Sequence, residues 1–177
     1  MAKWRNFYLR KMGTDTNNLP YPTYESVSAW GVWCKDIPFK IYDKAKEPAK
    51  RSWPDEHGDE EFIPSGGLFM EAYTMKVEFG CKKMSQMHDG STTISAVNDV
   101  RAKVGSFLQY LRQSGMLQMY SSHTRIGRQD VRFESCDDDA KWVVQDGVEF
   151  LVFEVTFKVN DPVTDITLSN SSSSSSD

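Results

Sequence analysis

Leu151-Val152-Phe153-Glu154-Val155-Thr156-Phe157-Lys158-Val159 puts five apolar side chains on one side of the chain and Val152, Glu154, Thr156 and Lys158 on the other. Period two sustained over that length marks a strand with one buried face. Asn160-Asp161-Pro162 follows, and proline cannot continue a central ladder, so the strand stops there. The same alternation occurs far upstream. Tyr73, Met75, Val77, Phe79 and Cys81 face one way, and Thr74, Lys76, Glu78 and Gly80 the other. Two such strands, distant in sequence, predict a sheet whose apolar face must be covered.

The cover lies between them. Ile94, Val97, Val100, Val104, Phe107, Leu108 and Leu111 step by three and four, which makes one apolar stripe on a helix over 93–114. Ser91, Thr92 and Thr93 are candidate N-caps, and Gly115 stands where a left-handed C-terminal cap belongs. Shorter elements flank this core. Residues 116–120 read as a strand, residues 121–128 as a polar turn, and Val131 and Phe133 alternate with Arg132 and Glu134 in another strand. Gly31 to Phe39 reads as a strand followed by a turn, and Asp137-Asp138-Asp139 as an acidic turn. The fold class expected is α+β, mainly antiparallel β, with one amphipathic helix against the sheet.

Outside this core the chain divides unevenly. Residues 1–30 carry Asn17, Asn18, Pro20 and Pro22 and keep no helical period, so an extended N-terminal arm is expected. Its Trp4, Phe7, Tyr8, Tyr21, Tyr24 and Trp30 are too aromatic for a solvated tail and predict an arm laid on a surface. The main domain spans 31–168 and includes a long polar loop over 43–67, and the serine-rich 169–177 reads as a flexible tail. Loops of that length in a compact domain are usually functional or ordered by a partner.

The 177 residues are 39% hydrophobic, 26% charged and 12% aromatic, with a formal net charge of -4. That composition excludes collagen, a coiled coil and wholesale disorder. No run approaches the ~18 apolar residues of a membrane-spanning helix. Met1 to Gly13 is basic without an apolar stretch and does not read as a secretory signal. Cys34, Cys81 and Cys136 are odd in number and widely spaced, which favours reduced thiols in a cytoplasm-like compartment over a disulfide framework. Residues 1–51 hold ten Lys or Arg against five Asp or Glu, net +5, leaving -9 for the rest.

Chemistry is sparse. Asp55, Glu56, Asp59, Glu60 and Glu61 surround His57, but in a proline-rich loop without the rigid elements that aim carboxylates at two metals, and without EF-hand spacing. His88 and His123 also fall in loops. No serine occupies a GxSxG turn, and each cysteine lies in or beside a strand, where burial is the commoner fate. Ser65-Gly66-Gly67 lacks the lysine of a P-loop. Arg125, Arg128 and Arg132 read as strand-end charges that keep an edge soluble. The expectation is a protein without catalytic residues, cofactor or metal. A hydrolase using the 55–61 carboxylates with His57, and a nucleic-acid module using the basic segment 3–11, are the competing readings.

The order of elements adds a resemblance. A long loop ending at Gly66-Gly67 leads into the strand 73–81, then one helix, a short strand, an arginine-containing hairpin over 124–135, and a closing strand ending in Phe157-Lys158-Val159-Asn160-Asp161-Pro162. This resembles the tail-tube-like fold of tailed bacteriophages, a β-sandwich flanked by one helix, and is most similar to the N-terminal domain of the distal tail protein family. Arg51-Ser52-Trp53-Pro54-Asp55-Glu56-His57-Gly58 would supply that family's loop. The likeness spans roughly residues 30–165 and is one of pattern, with no single diagnostic motif. It does not extend to the C-terminal carbohydrate-binding-like domain of many members or to the aromatic leader, which keeps the tail terminator as a rival. The resemblance implies a structural virion component made in the bacterial cytoplasm. Copies would form a homo-oligomeric ring, hexameric by analogy, around a lumen that DNA passes, joined to other tail proteins and to no membrane. Trp4, Phe7, Tyr8, Trp30, Trp53, Asp55, Glu56, Asp59, Arg125 and Arg128 are then the candidate subunit-interface residues.

Overall fold

The computed structural model describes residues 3–41, 44–83, 92–137 and 140–169, with backbone alone for 92–98. In chain order its elements are β1 (Phe7–Lys11), β2 (Thr23–Glu25), α1 (Ser26–Trp30), β3 (Val32–Cys34), β4 (Ala49–Ser52) and β5 (Asp59–Phe62). They continue with β6 (Tyr73–Lys82), α2 (Thr92–Gln113), β7 (Met116–Ser121), β8 (Ile126–Cys136), β9 (Lys141–Gln145) and β10 (Val148–Val159). The fold is mainly antiparallel β with few helices, as the alternation and the single long stripe predict. Among the described residues no helix is long and apolar enough to cross a membrane. The expected serine-rich tail lies outside the described residues apart from Ser169, as do His88 and the Ser91 cap.

β6 and β10 form the spine of the sheet, paired from Tyr73 with Val159 through to Lys82 with Phe150. The sheet runs β2-β1-β7-β8-β10-β6-β3. β10 is long enough to serve two neighbours along its other edge: residues 155–159 pair with β8 and residues 148–152 with β9. The sheet then curls, because Arg5 and Cys34 exchange backbone hydrogen bonds of 2.8 and 2.9 Å that bring the lead into β1 against β3. Inside the curl, Phe7, Leu9, Val77, Phe79, Val155 and Phe157 are fully buried. These are the inward residues of the period-two pattern, and each contributes roughly 1.5–3 kcal/mol by leaving water.

α2 closes the curl, and Val100, Val104, Phe107 and Leu111 all turn inward. Phe107 sits at the centre, its ring 5.2 Å from Phe79, 5.5 Å from Trp30, 6.1 Å from Phe7 and 6.3 Å from Phe153. Gly115 ends the helix at φ 66°, the left-handed cap the sequence places there.

The segment expected as an N-terminal arm is woven into this fold instead. β1 pairs with β7 over five positions and Phe7 is wholly buried, so residues 7–30 supply two strands, a helical turn and part of the core. Phe7 and Leu9 alone face inward on β1, too few to register as an alternating strand in the sequence.

Beyond β10 the chain folds back over β8. Ile166 N–H donates to the Gly127 carbonyl at 3.3 Å, and Leu168 is buried. Asp161 starts this return. Its carboxylate accepts the Val163 and Thr164 N–H groups at 3.1 and 3.0 Å and the Gln129 amide at 2.8 Å. Partial burial works against the charged form, but these hydrogen bonds outweigh it and bring the carboxyl down to about 2 from 3.8. A depressed carboxyl stabilises the fold fully above its unfolded value, and that contribution is lost as pH falls through the folded one. Urea midpoints measured from pH 5 to pH 2 are therefore expected to converge between wild type and Asp161→Asn as the pH drops. A gap that stays constant over that range would refute the assignment.

Candidate assembly surface

Where the sequence reads a loop over 43–67, the described residues 44–67 hold a two-stranded arm. β4 and β5 pair from Ala49 with Phe62 to Ser52 with Asp59, and all eight residues are exposed. The ladder continues toward the body through Lys46 N–H to the Phe69 carbonyl at 2.7 Å and Glu71 N–H to the Lys44 carbonyl at 2.8 Å. The arm thus runs over residues 44–71, and its strands form a sheet separate from the main one. It also displays large apolar side chains: Phe62 is 70% and Phe69 68% exposed, with Ile63, Leu68 and Trp53 exposed as well. An isolated hairpin is marginal in water, and an apolar one this long has too little of its own chain to bury against.

Charge on the arm is segregated by strand. β4 carries Lys50 and Arg51, while β5 carries Asp59, Glu60 and Glu61. Lys50 lies 3.8 Å from Asp59, and the Arg51 guanidinium stacks 3.7 Å above the Trp53 ring. Asp55, Glu56 and His57 lie in the exposed turn between the strands, which Gly58 closes at φ 89°. The carboxylates therefore spread along a hairpin and its turn instead of converging. Among the described residues no group of three or more His, Cys, Asp or Glu is placed to hold a metal.

The aromatic interface candidates from the leader are divided by the fold. Phe7 belongs to the core and no surface can use it. Trp30 is half-buried against Tyr110, centroids 4.9 Å apart, with Tyr24 5.5 Å away. Tyr8 packs beside Tyr120 on the outer face of β1. Trp4 stacks on Phe150 at 5.3 Å and donates its indole N–H to the Gln145 side chain at 2.8 Å. Its ring lies directly over Gly80, where a Cβ would come within 2.7 Å of it, so a glycine in the outward row of β6 makes room for the tryptophan.

Trp4 and Trp33 also line a shallow groove of about 620 Å³ with Lys3, Arg5, Glu25 and His123. Glu25 is already committed there, capping α1 by accepting the Ser28 N–H at 2.8 Å. Burial raises and these hydrogen bonds lower its carboxyl, and the net shift is downward.

The arginines separate too. Arg125 occupies the turn before β8 at φ 57°. Arg128, expected as a solvent-facing edge charge, is 3% exposed. Its guanidinium bonds the Lys40 and Gly127 carbonyls at 3.1 Å each and pairs with Asp165, clasping the returning segment to β8. That role needs partners 88 and 37 residues away, which no local pattern announces. The thiols of Cys34 and Cys81 are buried, and burial pushes them up to about 12 and about 11, far from nucleophilic.

Like the two strands of the arm, one further element of this surface is absent from the sequence reading. β9 pairs with β10 from Gln145 with Val148 to Lys141 with Val152, through Asp146 and Gly147 at φ 52° and 76°. Positive φ at both turn positions is the type I′ hairpin geometry that Asp-Gly favours, and this dipeptide was the available signal. Among the described residues β9 pairs on one side only, and Trp142, Val143 and Val144 are exposed along it. Beside it lies a groove of about 530 Å³ bordered by Glu78, Asp137, Lys141, Val143 and Glu154.

No family model and no curated protein matches the chain. Among solved structures it is similar to the SPP1 Dit (gp 19.1) protein, described as a paradigm of the hub adsorption apparatus in phages that infect Gram-positive hosts. The TM-score is 0.48 at 13% identity, covering 88% of this chain and 50% of that one. The chain spans half the length of that protein.

Proposed function

We propose that this chain is a structural, non-catalytic component of a phage tail: a distal-tail adaptor whose copies close into a ring. The observation that carries the assembly reading is the arm over 44–71. It holds two fully exposed strands and the exposed Phe62, Ile63, Leu68 and Phe69, an apolar display that a second protein surface would cover. The tail assignment rests on element order. A long excursion enters β6, α2 crosses the sheet, β7 and β8 follow, and β10 closes the fold before Asn160-Asp161-Pro162. Separation of charge, net +5 over residues 1–51 against -9 beyond them, supplies the complementary faces that identical subunits need. Of the candidate subunit-interface residues, Trp53, Asp55, Glu56, Asp59 and Arg125 are exposed and Trp4, Tyr8 and Trp30 are half-buried, while Phe7 and Arg128 lie inside the fold.

Native mass spectrometry of the full chain over ~1–100 μM tests the ring. Six copies of the 20.2 kDa protomer are the expected assembly. A chain whose residues 48–63 are replaced by a short Gly-Ser turn is expected to stay monomeric while keeping its circular dichroism. A wild-type chain that remains monomeric throughout overturns the ring.

A further inference from the structure

The ring reading leaves open which surfaces meet, and two free strand edges offer an answer. In a two-residue hairpin the residues flanking the turn, here Gln145 and Val148, exchange hydrogen bonds, and alternate positions point their backbone the other way. Trp142 and Val144 therefore aim N–H and C=O groups out of the sheet. An exposed, apolar edge of this kind is a template for another strand, and monomeric proteins guard against it with charge, proline or a bulge. β9 has Lys141 at one end and nothing similar at its centre.

β4 is the matching strand. Among the described residues it too is paired on one side only, by β5, in a sheet separate from the main one. Its charge fits. Residues 44–53 hold Lys44, Lys46, Lys50 and Arg51 against Glu47, net +3. Residues 137–149 hold Asp137, Asp138, Asp139, Asp146 and Glu149 against Lys141, net -4. Asp59, Glu60 and Glu61 lie on β5, one strand farther from such a contact, and Asp55 and Glu56 in the turn beyond it.

We infer that β4 of one copy adds to the free edge of β9 in the next, extending the main sheet across the subunit boundary. The contact is heterologous, since different strands meet, so repetition generates a ring or, without closure, a filament. This inference rests on the ring reading and gives it a specific joint.

Sedimentation velocity on full-length variants tests it. Lys50→Glu/Arg51→Glu places like charge on both strands and is expected to weaken self-association at least tenfold. Asp137→Lys/Asp138→Lys/Asp139→Lys turns residues 137–149 from net -4 to net +2 and does the same from the other side. Mixing the two variants restores opposite charge at every joint of an alternating ring, so assembly returns in the mixture for an even subunit number. Val144→Pro removes an outward N–H without touching the β10 ladder, and is expected to abolish assembly in a way that mixing does not rescue. Wild-type rings with unaffected charge variants and unaffected Val144→Pro would overturn the β4–β9 joint and leave the ring standing. A charge-dependent, rescuable dimer would keep the joint and overturn the ring. A wild-type chain monomeric at all concentrations would overturn both.

Discussion

Phe107→Ala should cost about 3–5 kcal/mol, the range for removing a buried phenylalanine ring. The site cannot collapse easily. Phe107 is fully buried, and its ring meets β1 through Phe7, β6 through Phe79, β10 through Phe153 and α1 through Trp30. Those neighbours are anchored in separate strands and in a helical turn, so relaxation toward the void would require strands to move relative to one another. Domains of this size are stable by roughly 5–15 kcal/mol, so the loss consumes a large share of the total. Phe107→Leu keeps most of the volume and should cost less than about 1.5 kcal/mol. Equilibrium denaturation in urea, read by tryptophan fluorescence and circular dichroism together, separates the two. A Phe107→Ala chain within about 1 kcal/mol of wild type would mean that α2 is not seated on the sheet at this point.

This cluster was largely legible, because period two and period 3.6 are local signals. β6, β10 and the buried stripe of α2 each carry several apolar residues at the right interval, and Phe79, Phe153, Val155, Phe157, Phe107 and Leu111 lie inside as the spacing requires. What was not legible depends on distance or on too few residues. β2 and β3 are three residues each, too short for a period to show. β1 owes its place to pairing with β7 more than a hundred residues downstream, so its prolines and asparagines suggested an arm. The excursion over 44–71 was visible as something long and charged. Its paired strands were not, because alternation of exposed with exposed leaves no hydropathy trace. Of the candidate interface residues, position alone could not distinguish Trp53, exposed on the arm, from Phe7 and Arg128, which the fold buries.

Gly127→Ala should be the most damaging single-atom change outside the core. Gly127 lies in β8 where the returning segment passes closest. A Cβ there would collide with the Ile166 carbonyl oxygen and come within 2.9 Å of both Ile166 Cγ1 and Tyr120 Cδ2. The first obstacle is backbone, so it cannot rotate away, and the Tyr120 ring is held on β7, the strand paired with β8. The outcome is displacement of residues 163–168. That movement breaks the Ile166-to-Gly127 hydrogen bond, pulls Asp165 from Arg128 and uncovers Leu168. Overpacking of this kind costs typically ~1–3 kcal/mol.

The location of the damage is more diagnostic than its size. Hydrogen exchange in the variant should rise at residues 163–168 and at Arg128 while β6 and β10 stay protected, because the returning segment is bonded to β8 through Gly127 and Arg128. Arg128→Met supplies the counterpart. It leaves room at Gly127 but removes the clasp, so the Lys40 carbonyl loses its Arg128 hydrogen bond and Asp165 its ion pair, and the same segment should loosen with the sheet intact. Uniform loss of protection across the sheet in both variants would mean that the segment and the sheet unfold as one unit. Unchanged exchange in Gly127→Ala would mean that the chain after β10 does not lie over β8 at all.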